Sequence, residues 1–177
     1  MNLALVGFRG VGKSHVARLL AERLDWPAID ADVELQRRAQ RTIAEIFAAD
    51  GEQAFRDLET DLLLDLTQHD RQILALGGGA ILRPENRQAI RERCFTVWLT
   101  ADAETIFSRI SADDATAAQR PGLTDKSPQD EIQHLLELRD PLYREAADAI
   151  VDTQARTPVE AADAIYQLFA PKIESAS

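Results

Sequence analysis

Apolar residues follow two alternating rhythms along the 177-residue chain. Short continuous apolar runs at 2–6, 27–30, 72–76, 94–99 and 149–151 predict strands. Between them, apolar positions recur at helical spacing over 13–24, where Val16, Leu19, Leu20 and Leu24 share one face. The same spacing predicts helices over 32–39, 42–47, 51–66, 84–91, 103–110, 127–144 and 158–169. Strands that are apolar almost throughout, separated by helices, imply an α/β fold: a parallel sheet covered on both faces. One stretch breaks the rhythm. Residues 111–127, around Arg120-Pro121-Gly122, have little periodicity, and a long loop in a compact domain is expected to be a mobile lid over a site. There is no internal repeat, low-complexity linker or second-domain boundary, so residues 1–170 read as one domain and 171–177 as a frayed tail.

The first strand runs into Gly7-Phe8-Arg9-Gly10-Val11-Gly12-Lys13-Ser14, which fits G-x-x-x-x-G-K-[ST] with a strand before it and a helix after it. Such a loop turns successive N–H groups toward a phosphate at the positive end of a helix. Lys13 then reaches β- and γ-phosphates, and the Ser14 hydroxyl offers a ligand to Mg²⁺. The expectation is a nucleoside triphosphate site.

Charge narrows the partners. The formal net charge of -10 argues against nucleic acid or an anionic membrane as partner, because both reward basic surfaces. Positive charge for an anionic ligand must therefore be gathered locally. Lys13, Lys126 and Lys172 are the only lysines, so arginine must supply most of it, in a form suited to gripping carboxylates and phosphates. The single cysteine, Cys94, allows no internal disulfide and reads as a buried strand residue. His15, His69 and His134 are too scattered to suggest zinc. With no leader-like or membrane-length apolar segment, the expected location is the cytoplasm.

Further groups fall at the predicted strand ends. Asp30-Ala31-Asp32 closes the second strand, where ligands of an open parallel sheet collect. Period two would place both acids on one face, one supporting Mg²⁺ and the other holding a substrate hydroxyl; the competing reading is that Asp32 caps the next helix. Gly77-Gly78-Gly79 ends the third strand, and a glycine triplet there is expected to bring backbone N–H groups close to a ligand. Pro141 is expected to bend or end its helix and so aim Arg139 inward.

Together these segments resemble the shikimate kinase family over nearly the whole chain. The resemblance is carried by the phosphate loop, Asp30-Ala31-Asp32, the segment from Gly51 to Arg56 with Glu59, Gly77-Gly78-Gly79, Arg120-Pro121, and the segment Arg139-Asp140-Pro141-Leu142-Tyr143-Arg144. It implies a P-loop three-layer sandwich whose five-stranded parallel sheet has the order 2-3-1-4-5. It also implies ATP- and Mg²⁺-dependent phosphorylation of the shikimate 3-hydroxyl, in aromatic amino-acid biosynthesis; the chain is expected to act as a monomer. Carried over residue by residue, Gly10, Val11, Gly12, Lys13, Ser14 and His15 would wrap the ATP phosphates. Ser14 would bind Mg²⁺ with Asp30 supporting its hydration shell, and Arg109 and Arg156 would lie near adenine. Asp32, Arg56, Glu59, Gly77, Gly78, Gly79 and Arg139 would hold shikimate, between apolar walls from Phe47 and Phe55. Lys13, Asp32 and Arg120 would be the catalytic groups, Arg120 approaching the transferring phosphoryl group on the lid. The chain departs from the family pattern at His15, where threonine is usual, and at Gly122, often leucine. Two rival readings remain: a related kinase for gluconate or a nucleoside monophosphate, and a nucleotide-binding module without catalysis.

Overall fold

The computed structural model describes residues 1–112 and 127–174. Along the described chain run β1 (Asn2–Val6), α1 (Lys13–Leu24), β2 (Ala28–Asp30), α2 (Ala31–Ala39), α3 (Ile43–Leu66) and β3 (Ile73–Ala75). They are followed by α4 (Pro84–Arg93), β4 (Cys94–Thr100), α5 (Ala103–Ser111), α6 (Pro128–Ala146), β5 (Ala149–Asp152) and α7 (Pro158–Glu174). All five strands are parallel, in the order β2-β3-β1-β4-β5. The expected fold and strand order are both present. Of the lid expected over 111–127, residues 113–126, with Arg120, lie outside the described residues.

Alternation along β1 divides the core into two layers. Leu3 and Leu5 pack on one side with Leu20, Ile106, Ile165 and Phe169, and Ala4 and Val6 on the other with Leu35, Phe55, Leu63 and Ile90. Each buried aliphatic side chain of this size contributes about 1.5–3 kcal/mol, so a sheet covered on both faces is the arrangement that this pattern rewards. Helix α6 joins the two layers. Ile132 near its start belongs to the first cluster, while Tyr143 and Ala146 near its end belong to the second. It therefore passes across the carboxyl edge of the sheet.

Three local expectations are corrected. Helix α2 begins at Ala31, and its cap is Asp30 rather than Asp32: Asp30 Oδ1 accepts from the N–H groups of Asp32 (3.1 Å) and Val33 (3.3 Å). The strand ends at Asp30, so Asp32 lies in the first helical turn and strand periodicity does not relate the two acids. Pro141 does not end its helix, because α6 continues to Ala146 around the fully buried Tyr143. The C-terminal helix runs through Pro171 to Glu174, where a frayed tail was expected. Phe169 is fully buried and Ile173, one turn on, packs against the same core, which offsets the donor lost at the proline. Cys94 is buried as expected, and burial pushes its thiol up to about 12, out of reach of thiolate chemistry.

Candidate active site

Because the strands are parallel, everything that follows a strand emerges at one edge of the sheet. The register Asp30↔Ala75 and Leu5↔Ala75 places the phosphate loop, Asp30 and the glycine triplet side by side. The chain passes from β3 to β4 across β1, so this edge is also where the winding reverses and a crevice opens. A cleft of about 540 Å³ lies there. Its wall includes Gly10, Gly12, Lys13, Ser14, His15, Asp30 and Asp32 on one side. Arg56, Gly77, Gly78, Arg109 and Arg139 complete it.

The phosphate loop is built for an anion. Helices α2, α3, α5 and α6 are each capped by a side chain, from Asp30, Thr42, Asp102 and Ser127. Helix α1 has none: its cap is Gly12, no side chain bonds its first turn, and no acid stands there. Its first amides face the cleft with the positive end of the helix dipole behind them. Lys13 is buried, and its ammonium donates to the carbonyls of Gly7 and Phe8 at 2.8 Å each, which holds the charge across the loop. The Ser14 hydroxyl donates to Asp30 Oδ2, so one aspartate both caps α2 and meets the serine at the mouth of α1.

A hydroxyl and a carboxylate are hard oxygen donors of the kind Mg²⁺ takes when phosphates and waters complete its shell. Among the described residues no group of three or more acidic, histidine or cysteine side chains could hold a metal by itself. The donor set therefore suits a cation that arrives with a phosphate, and Ser14 and Asp30 fit Mg²⁺ in that role.

Beside the loop, the glycine triplet is a hub for three side chains. A Cβ on Gly77 would come within 2.8 Å of Asp32 Oδ1 and 3.0 Å of Glu59 Oε1. One on Gly79 would come within 2.3 Å of Arg56 Nη1. The Gly78 carbonyl accepts from Arg139 Nη1 at 3.2 Å. The triplet was expected to present backbone N–H groups; it also clears the space that Asp32, Glu59 and Arg56 occupy.

Arg56 comes from α3 and Arg139 from α6. Arg56 is buried against Glu59 (2.7 Å) and also reaches Glu52 (3.2 Å), one turn before it. Burial works to lower the Arg56 pKa, but Glu59 and Glu52 outweigh it, so the guanidinium is held above its ordinary value. Arg139 is held differently, by the neutral Gly78 carbonyl and by the Phe8 ring, 5.6 Å from its guanidinium carbon.

The remaining expected residues divide. Arg109 lines the cleft and is braced on Thr153, donating to its hydroxyl (3.1 Å) and its carbonyl (2.7 Å). Val11, within the loop, turns its side chain into the first core layer rather than the cleft wall, and its carbonyl faces the Thr153 hydroxyl at 3.3 Å. Arg156 is not brought into the cleft wall; it is exposed and donates to the Asp152 carbonyl. Phe47 is part of the wall, but Phe55 is fully buried behind it, its ring centroid 4.8 Å from that of Phe47. Phe55 is core, not wall.

The sequence reading missed Arg9, Arg18, Gln36, Glu52, Glu131 and Leu135, all of which line the cleft. A periodicity signal existed for most of them. Arg18 follows Ser14 by four, Gln36 follows Asp32 by four, Glu52 precedes Arg56 by four, and Glu131, Leu135 and Arg139 share a helix face at the same spacing.

Comparison with known proteins gives the family. The sequence model of the family described as shikimate kinase matches residues 9–170. The chain is 43% identical over 155 residues to a shikimate kinase from Rhodopirellula baltica, covering 88% of this chain and 83% of that one. The solved structure of a shikimate kinase from Acinetobacter baumannii in complex with shikimate superposes with a TM-score of 0.89 at 37% identity, covering 97% and 93% of the two chains. A gluconokinase structure from Sinorhizobium meliloti reaches a TM-score of 0.55 at 18% identity, a likeness of fold alone. With the family model matching residues 9–170 and a relative 43% identical over a stretch covering 88% of the protein, this chain, whose cleft joins a phosphate loop to a glycine triplet flanked by Arg56 and Arg139, belongs to the shikimate kinase family.

Proposed function

We propose that this protein transfers the γ-phosphoryl group of ATP to the 3-hydroxyl of shikimate, giving ADP and shikimate 3-phosphate for aromatic amino-acid biosynthesis. The observation that carries the reading is the convergence of Arg56 and Arg139, from separate helices, on adjacent glycines of one cleft wall. Two guanidiniums held at neighbouring residues suit a planar carboxylate, and they would fix its orientation as well as its affinity. Asp32, beside Gly77, then orients a hydroxyl of the same small acid toward the phosphate loop by accepting its hydrogen bond.

Phosphoryl transfer proceeds through a loose transition state, so the protein's task is to align the reactants and balance their charge. The first amides of α1 and Lys13 hold the phosphates. Mg²⁺ held by Ser14 and Asp30 would neutralise charge on the β- and γ-oxygens. Arg120, outside the described residues, is assigned to the transferring group, Arg109 to the adenine side of the cleft, and Arg156 to the outer end of that side. Residues 1–170 are read as one kinase domain that acts as a cytoplasmic monomer. No helix among the described residues is long and apolar enough to cross a membrane.

ADP release measured with shikimate, gluconate and nucleoside monophosphates in parallel tests the proposal. Shikimate-dependent turnover is expected, and turnover only with another acceptor, or with none, would overturn it. Replacing Arg139 by alanine should raise the shikimate KM by about 10- to 100-fold, the worth of hydrogen bonds to a charged group, and leave the ATP KM within about twofold.

A further inference from the structure

The hydroxyl of Tyr143 has no assigned part in this chemistry, although it is buried and hydrogen-bonded at the glycine triplet. We propose that Tyr143 is a positioning residue for acceptor recognition: it pins the Gly78 carbonyl and so fixes the angle at which Arg139 meets the carboxylate of a small acid. The inference rests on the reading of Arg139 as a carboxylate grip.

Tyr143 is fully buried, and its ring stacks on Trp98 with centroids 5.3 Å apart and planes 16° from parallel. Trp98 is itself fixed in an inner strand, with Val6 and Ile150 as its register neighbours. Packing alone would be served by phenylalanine. The added hydroxyl must be hydrogen-bonded to be tolerated there. It donates at 2.7 Å to the Gly78 carbonyl, the same oxygen that receives Arg139 Nη1 at 3.2 Å. A carbonyl oxygen has two lone pairs, and these two donors match them. Tyr143 follows Arg139 by four residues, so α6 presents both from one face.

The shared acceptor is also well placed to need fixing. Gly78 is the centre of three consecutive glycines, the most permissive backbone in the chain. A Cβ on it would sit 3.4 Å from the Arg9 nitrogen and 3.5 Å from the Gly7 oxygen, so its peptide lies between the phosphate loop and α6. Arg56 is held by carboxylates, but among the described residues Arg139 has none within ion-pair distance. A neutral acceptor aims the guanidinium without consuming its charge, which is left for the ligand. The orientation of that acceptor therefore decides the aim, and Tyr143 sets the orientation.

The test is Tyr143→Phe, which keeps the ring and its stack, assayed alone and combined with Arg139→Ala. The single variant should raise the shikimate KM by about tenfold, the worth of one buried hydrogen bond, with the ATP KM and the melting temperature little changed. Because Tyr143 acts through Arg139, adding Tyr143→Phe to Arg139→Ala should change the shikimate KM by less than about twofold. An unchanged shikimate KM in the single variant, equal rises for both substrates, or a full multiplicative effect in the double variant would each overturn the proposal. Should Tyr143→Phe not fold, 4-aminophenylalanine at 143, which retains a donor, is expected to keep the wild-type shikimate KM, and a tenfold rise would overturn the proposal. Failure of the underlying reading looks different: the wild-type protein would ignore shikimate, or Arg139→Ala would leave its KM unchanged.

Discussion

A Cβ on Gly79 would lie 2.3 Å from one nitrogen of Arg56, and a Cβ on Gly7 would lie 2.4 Å from the Leu99 carbonyl oxygen. The two distances are nearly equal and their consequences should differ. What Gly79 faces is the far end of a flexible side chain, which can move aside at little cost to folding but loses its place in the cleft. Gly7 faces the backbone of an inner strand and has φ 140°, so alanine there must distort the sheet edge. Gly79→Ala is therefore expected to melt within a few degrees of the parent and raise the shikimate KM at least about tenfold, by displacing a charge-assisted hydrogen-bonding group. Gly7→Ala should lower the melting temperature and the yield of folded protein. Thermal melts beside two-substrate kinetics separate these outcomes, and an unstable Gly79→Ala with normal shikimate kinetics would refute the reading. At this scale the sequence revealed that the triplet mattered but not how, because the side chains it accommodates come from residues 32, 56 and 59.

Among the elements, α3 shows what a single backbone angle contributes. It begins at a capping box, in which Thr42 accepts from the Glu45 N–H and Glu45 reaches back to the Thr42 N–H. It turns at Gly51, whose φ 82° and ψ 177° lie in a region essentially reserved for glycine. The sequence pattern anticipated helices over 42–47 and 51–66, and the structure joins them as one bent element. Beyond the bend, Glu52, Arg56 and Glu59 face the cleft side of the helix and hold one another. Nothing lies within 4 Å of where a Gly51 Cβ would stand, so alanine there meets no clash and carries only the conformational cost. Gly51→Ala should destabilise the protein by about 2 kcal/mol, lowering the melting temperature by roughly 4–8 °C. A melting temperature equal to the parent's would show that the bend is not held by this residue.

For the molecule as a whole, ligand linkage is the decisive measurement. If the uncapped start of α1 with Lys13 holds ATP, and Ser14 with Asp30 serves its cation, ATP and Mg²⁺ together must stabilise the fold. At a concentration a hundredfold above the dissociation constant the gain is about 2.7 kcal/mol. For a protein of this size that corresponds to a rise in melting temperature of roughly 5–11 °C. Chelation with EDTA should remove most of the rise and stop ADP release, and restored Mg²⁺ should return both. A rise of the same size with EDTA present would remove Ser14 and Asp30 from the metal assignment.

The resemblance to the shikimate kinase family pointed to Arg56, Arg109 and Arg139, while the sequence by itself determined the layered α/β fold and the phosphate loop. Those features are local: apolar periodicity fixes which face is buried, and consecutive residues Gly7 to Ser14 form one continuous loop. The tertiary structure alone decided which of two aspartates caps α2, that Phe55 is core while Phe47 is wall, and that Arg56 and Arg139 are held by unlike partners. It also decided that one tyrosine shares an acceptor with an arginine. Each of these depends on distances between residues far apart in the chain, set when parallel strands bring their carboxyl ends to a single edge.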